Sequence, residues 1–173
     1  MAEELRLLFS PPQIERRVRR LARQISRDYR GKVPLLVCVL KGAFVFLADL
    51  IREMTIPVEV EFVRASSYGS AMSSSGTVRL EGEVDVEGRD VLLVEDIIDT
   101  GLSVKVLADY ILSRSPASFK VCALVDKKER REVEVKVDYV GFEIERGFIV
   151  GYGIDYDERY RHLPGIYVVE KRP

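Results

Sequence analysis

Apolar positions along the chain follow two rhythms, and the change from one to the other marks the elements. From Pro12 to Tyr29, Ile14, Val18, Leu21, Ala22 and Ile25 recur at helical spacing behind Ser10, a residue type suited to capping. They predict one amphipathic helix with an arginine-rich outer face. Val33 to Leu40 is a continuous β-prone run, as expected of a strand buried on both faces. A helical pattern over Gly42 to Glu53 then leads to a partly alternating run from Val58 to Arg64. Ser66 to Gly76, SSYGSAMSSSG, is small and polar and cannot bury enough surface to order itself. It reads as a mobile loop, with Val78 to Val84 forming a short hairpin arm beside it. A strand at Val91 to Glu95, an acidic turn and a helix ending near Leu112 follow. Further strands are predicted at Phe119 to Val125, Tyr139 to Phe142, Phe148 to Val150 and Ile166 to Val169. Among them the alternating charges of DKKERREVEVKVD mark an exposed connection.

Alternating strands and helices predict an α/β fold, a mostly parallel twisted sheet flanked by helices on both faces with right-handed crossovers. A length of 173 residues, with no internal repeat or linker, suits a single domain over 1–173. Such sheets bind ligands beyond the carboxyl ends of their strands. Leu40 to Gly42, Glu95 to Ser103 and Val125 to Lys127 each follow a predicted strand and should converge on one cleft.

Composition then narrows the function. With 27 Lys+Arg against 28 Asp+Glu the net charge is −1, so no global field draws the chain to nucleic acid or an anionic membrane. The arginines of the first helix read as a solvated face, because no aromatic residue interleaves with them. The longest apolar run falls well short of the roughly 18 residues that span a bilayer. The amino terminus, MAEELRLLFSPP, carries acids where a signal peptide carries positive charge, so a cytoplasmic location is expected. Cys38 and Cys122 sit inside apolar runs without metal-ligand neighbours and read as buried free thiols. His162 is the single histidine, so chemistry must rest on carboxylates, lysines and bound ions.

That chemistry concentrates after Val94. Glu95 and Asp96 close a strand, and Asp99, Thr100, Gly101, Leu102 and Ser103 open a helix. A helix amino terminus offers unpaired N–H groups and a positive dipole end, Thr100 and Ser103 add hydroxyls, and Gly101 lets the backbone come close, so a phosphate fits there. Paired carboxylates suit the two vicinal hydroxyls of a ribose. The implied ligand is a pentose with a phosphate. An ordinary cap by Asp99 would explain only one of the three acids.

The segment VLLVEDIIDTGLS closely resembles the phosphoribosyl-pyrophosphate (PRPP) loop of the purine phosphoribosyltransferases, specifically the hypoxanthine-guanine enzymes. The resemblance continues in order over LKGAFVFLADL, VRASSYG, ALVDK and VGFEIERGFIVGYGIDYDERYRHLPGI. It implies a type I phosphoribosyltransferase fold with a flexible hairpin lid and a small hood, assembled as a homo-oligomer. The implied activity is a purine salvage transfer of the 5-phosphoribosyl group from Mg²⁺-bound PRPP to a 6-oxopurine, hypoxanthine or guanine. The products would be a nucleoside monophosphate (IMP or GMP) and pyrophosphate.

By that likeness Glu95 and Asp96 hold the ribose hydroxyls, and Asp99, Thr100, Gly101, Leu102 and Ser103 cradle the 5-phosphate. Asp99 also faces N7 of the purine as general base. Lys41 and Gly42 resemble a short pyrophosphate loop of unusual peptide geometry, Arg161 a second pyrophosphate ligand, and Ser67 and Tyr68 the closing dipeptide of the lid. Lys127, Phe148, Ile149 and Asp155 resemble the base pocket, with an ammonium for O6, a stacking ring and a backbone edge. Asp155, with Glu95 and Asp96, supplies carboxylates for Mg²⁺, whose other ligands would be substrate oxygens and water. Ser103 stands where the family usually carries Thr, and Glu145, Arg146 and Gly147 replace its usual turn. A one-residue slip would exchange Lys127 for Lys128. Tyr152, Tyr156, Tyr160 and His162 read as packing or loop residues. A PRPP-sensing regulator would need a further DNA-binding unit, and about 30 residues before the first predicted strand are too few for one.

Overall fold

The first apolar stripe forms α1 (Pro11–Asp28), and its start is fixed locally. Ser10 Oγ accepts the Gln13 N–H at 3.4 Å while Gln13 Oε1 accepts the Ser10 N–H at 2.8 Å, a reciprocal cap. The computed structural model describes residues 3–68 and 77–171. Most of the predicted loop Ser66 to Gly76 lies outside the described residues, as do the side chains of Ser67 and Tyr68. The chain runs β1 (Glu3–Phe9), α1, β2 (Leu35–Leu40), α2 (Phe44–Glu53), β3 (Glu59–Tyr68), β4 (Thr77–Glu81), β5 (Asp90–Ile98), α3 (Leu102–Leu112), β6 (Ser118–Lys127), β7 (Tyr139–Ile144), β8 (Ile149–Val150) and β9 (Ile166–Lys171).

Six strands form one sheet in the order β4-β3-β2-β5-β6-β7, parallel except for the antiparallel edge strand β4. Burial on both faces explains the unbroken apolar runs. On one face Ile14, Leu21 and Ile25 of α1 and Phe46 and Leu50 of α2 pack against Leu36, Cys38, Leu92, Val94, Cys122 and Leu124. On the other, Leu107 and Ile111 of α3 cover Val37, Leu93, Val121 and Ala123. Both cysteines are free and buried, and both are in register with Val94, from opposite sides of β5. No helix among the described residues is long and apolar enough to cross a membrane.

The structure departs from the sequence expectation in three places. First, β1 was not predicted; it pairs antiparallel with β9, which pairs with β8, making a separate three-stranded sheet above the carboxyl ends of β5, β6 and β7. Second, the predicted acidic turn is strand. Ile97 and Ile98 continue β5 by pairing with Val125 and Asp126, so β6 likewise reaches Lys127. Third, the charged connection after β6 is not wholly exposed, because Val135 and Val137 pack on the α3 face of the core.

Candidate active site

Strand β5 ends in a cleft of about 230 Å³ lined by Leu40, Gly42, Glu95, Asp96, Asp99, Thr100, Gly101 and Ser103, among others. Glu95 is 6% exposed. Burial, then the adjacent Asp96, pushes its carboxyl well up from the ordinary range. Asp96 is also pushed up by burial, against the pull of hydrogen bonds from Glu95 and the Ile97 N–H and of the Arg161 charge. Burial thus disfavours a full charge on either group. Such a pair suits a ligand that brings hydroxyl donors.

Asp99 is not the cap of α3. Gly101 is the N-cap residue, left-handed at φ 86°, and the Leu102 N–H donates to Thr100 Oγ1 at 3.3 Å. Packing within the chain gives a further reason for Gly101. A Cβ there would meet Val133 O and Val135 Cγ2, each at 2.9 Å, so the close approach is to the connection after β6. Freed from capping, Asp99 points Oδ1 to within 3.6 Å of Lys127 Nζ, while Arg130 lies 3.4 Å from Oδ2. Oδ1 is buried without a hydrogen-bond partner.

A second group of charges gathers around the start of α2. The Leu40–Lys41 peptide bond is cis. A Cβ on Gly42 would fall 1.8 Å from Asp96 Oδ2, and a Cβ on Gly153 would fall 2.4 Å from Gly42 O, so these backbones pack where no side chain fits. Lys41 Nζ donates to Glu158 Oε2 at 2.6 Å. Arg161 donates to Gly153 O at 2.8 Å and to Glu158 Oε1 at 3.1 Å, and its Nη2 lies 3.3 Å from Asp155 Oδ1.

The third group lines an adjoining cavity of about 550 Å³, bounded by Arg6, Leu8, Lys127, Glu129, Arg130, Arg146, Gly147, Phe148 and Val168. Lys127 is 5% exposed, whereas Lys128 turns outward and pairs with Asp126. This resolves the register: Lys127 is the residue that faces Asp99. Phe148 is 45% exposed and meets Tyr156 edge-on, with ring centroids 5.1 Å apart, so it offers a free aromatic face rather than core packing. Ile149 is buried and held in β8. A larger cavity, about 780 Å³, lies between α1, α2 and Leu163, away from Asp99 and Lys127.

Asp155 and the Glu95–Asp96 pair do not converge into one three-carboxylate cluster. Among the described residues no three His, Cys, Asp or Glu side chains converge as ligands. An oxygen-only donor such as Asp155, about one-third exposed, still fits a hard cation completed by ligand oxygens. Sequence reasoning missed four residues bordering the site: Asp126, Arg131, Tyr156 and Glu158. Arg131 sits in an alternating-charge stretch that looks solvated, yet its guanidinium reaches Asp126, Asp99 O and Lys127 O. Only the fold could reveal it. Tyr156 precedes, and Glu158 sits within, a turn that the Asp157-Glu158 dipeptide does not announce.

Residues 8–157 match the phosphoribosyl transferase domain family. The hypoxanthine-guanine phosphoribosyltransferase of Aquifex aeolicus is 48% identical over 171 residues, spanning 97% of this chain and 96% of that protein. The hypoxanthine phosphoribosyltransferase of Salmonella typhimurium is 45% identical over 168 residues, 95% of this chain and 94% of that one. A crystal structure of a hypoxanthine-guanine phosphoribosyltransferase from Bacillus anthracis superposes with a TM-score of 0.90 at 45% identity, covering 96% of this chain and 100% of that one.

Proposed function

Because the chain belongs to the phosphoribosyl transferase family, we propose that it transfers the 5-phosphoribosyl group of PRPP to N9 of hypoxanthine or guanine, releasing pyrophosphate. The observation that carries this reading is the meeting of Asp99 and Lys127 at 3.6 Å, beside a helix amino terminus suited to phosphate. A 6-oxopurine presents N7 and O6 side by side, a match for one acceptor and one donor.

In this reading the Glu95 and Asp96 pair accepts the ribose hydroxyls, while Thr100 to Ser103 at the head of α3 receive the 5-phosphate. Positive charge develops on the ribose as the leaving group departs, and Lys41 and Arg161 stabilise the departing negative charge. Asp99 holds the N7 proton, its unpartnered Oδ1 being free to accept it. Lys127 donates to O6, and the open face of Phe148 stacks on the ring. Mg²⁺, held by Asp155 and substrate oxygens, would neutralise further charge on the diphosphate.

The test is consumption of PRPP with each purine and pyrimidine base, with the nucleotide product identified. IMP or GMP is expected. Product from adenine or uracil in preference to the 6-oxopurines would overturn the base assignment, and no nucleotide at all would overturn the transferase reading.

A further inference from the structure

We propose that Glu158 is a built-in occupant of the pyrophosphate seat, a carboxylate that PRPP must displace and that competes with pyrophosphate for Lys41 and Arg161 after transfer. The inference rests on the assignment of those two cations to the pyrophosphate.

The geometry is that of an anion bound between two cations. One carboxylate oxygen takes Lys41 Nζ at 2.6 Å and the other takes Arg161 Nη2 at 3.1 Å. Lys41 arrives from the end of β2, 117 residues away in sequence, so the bridge closes only in the folded chain.

The backbone supplies an independent argument. Tyr156 and Arg159 exchange N–H to carbonyl hydrogen bonds of 3.1 and 3.0 Å around a two-residue turn, with φ 52° at Asp157 and 60° at Glu158. Turns with positive φ at both central residues favour Asn-Gly, because a side chain there is strained. Glu158 occupies the position where glycine would be relaxed. Packing gives no reason for it, since the side chain is 63% exposed. What the glutamate contributes is its charge, delivered to Lys41 and Arg161.

A carboxylate is a weaker ligand for this pair than a diphosphate with more charge and more oxygens, and exposed ion pairs are readily broken. Glu158 therefore yields to PRPP but returns to the cations as pyrophosphate departs. It lowers the affinity for both, which favours product release.

Binding of inorganic pyrophosphate to the full-length chain by calorimetry, together with steady-state kinetics, tests this. Glu158→Gln keeps the turn, whereas Glu158→Gly also relaxes it. Both should bind pyrophosphate about two- to fivefold more tightly, the scale of an exposed charge pair. Both should lower KM for PRPP in the same sense and leave KM for hypoxanthine unchanged. Only the glycine variant should gain thermal stability, showing that affinity follows the carboxylate and not the turn. Asp157→Asn, which removes a neighbouring charge paired with Arg159, should leave pyrophosphate affinity as it was. Unchanged or weaker pyrophosphate binding in both Glu158 variants would overturn the inference, as would an equal gain in Asp157→Asn. Wild-type protein that forms no nucleotide would overturn the transferase reading and this inference with it. Active wild type with unresponsive Glu158 variants would overturn this inference alone.

Discussion

Asp99 carries one oxygen without a hydrogen bond and takes no part in capping α3, so its carboxylate can be changed without loosening the helix. Asp99→Asn should therefore lower kcat by about 10² to 10⁴, the usual cost of losing a general base, and far more than it weakens PRPP binding. Near-normal turnover in that variant would make Asp99 a spectator. Lys127 and Phe148 should separate by substrate. Adenine sets an amino group against the buried ammonium, so Lys127→Met should erase most of an approximately 10⁴-fold preference for hypoxanthine, while Phe148→Leu should weaken all purines alike. Lys128→Met should leave base choice intact, because that side chain turns outward to Asp126; altered selectivity there would sink the assignment. Asp126 itself bears on stability. Burial alone would raise its carboxyl, but hydrogen bonds from Lys128 and Arg131, with their charges, hold it below the ordinary value. The unfolded chain thus binds more protons in the acid range. The stabilisation is complete above about pH 4 and is lost as pH falls through the folded value. Melting temperatures of wild type and Asp126→Asn should accordingly converge as pH falls below about 4, and a constant gap would show that the ion pair carries no such linkage.

Elements meet the site at their ends, and Arg131 ties two of those ends together. Its guanidinium donates to Ile98 O and Asp99 O at the end of β5, to Lys127 O at the end of β6, and to the Asp126 carboxylate. Arg131→Met would leave Asp126 buried with Lys128 as its remaining partner and three carbonyls short of a donor. Breaking a buried pair from one side commonly costs about 3 to 5 kcal/mol. Urea unfolding of Arg131→Met, Asp126→Asn and the double variant should show losses well short of additive; strict additivity would mean the two residues act apart. This tie lies beyond what the sequence could disclose, and the reason is range. The stripe of α1 and the doubly buried run of β2 were legible because their periods are local. The stretch after Glu95 and Asp96 looks like a turn in sequence, and only the pairing of Ile97 and Ile98 with β6 keeps that backbone extended. β1 was invisible because its partner is β9, at the far end of the chain. In the same way the acids and hydroxyls from Glu95 to Ser103 announced themselves as one segment. Arg131 looked like an ordinary solvated charge, and Glu158 gave no signal of its own, until the fold gave them partners.

Across the whole molecule, the proposed function divides the labour between the two sheets: the six-stranded sheet would carry the phosphate side, while β1, β9 and the residue before β8 bring Arg6, Leu8, Val168 and Phe148 to the cavity that would take the base. Removing residues 1–9 should therefore raise KM for hypoxanthine by about tenfold or more, since a pocket wall is lost, and disturb KM for PRPP much less. Equal losses for both substrates would show that β1 serves stability alone. The sheet centre has a different use. Cys38 and Cys122 flank Val94 two strands apart, about 10 Å, too far for a disulfide. Burial pushes the Cys38 thiol up to about 12 and raises Cys122 as well. A thiol reagent needs a thiolate it can reach, and these sulfurs meet solvent only when the central strands part. Labelling under native conditions thus becomes a clock for complete unfolding, readable without denaturant. The two sulfurs should be modified in step and both should slow when PRPP is bound; faster modification of one would reveal a partial opening confined to its strand.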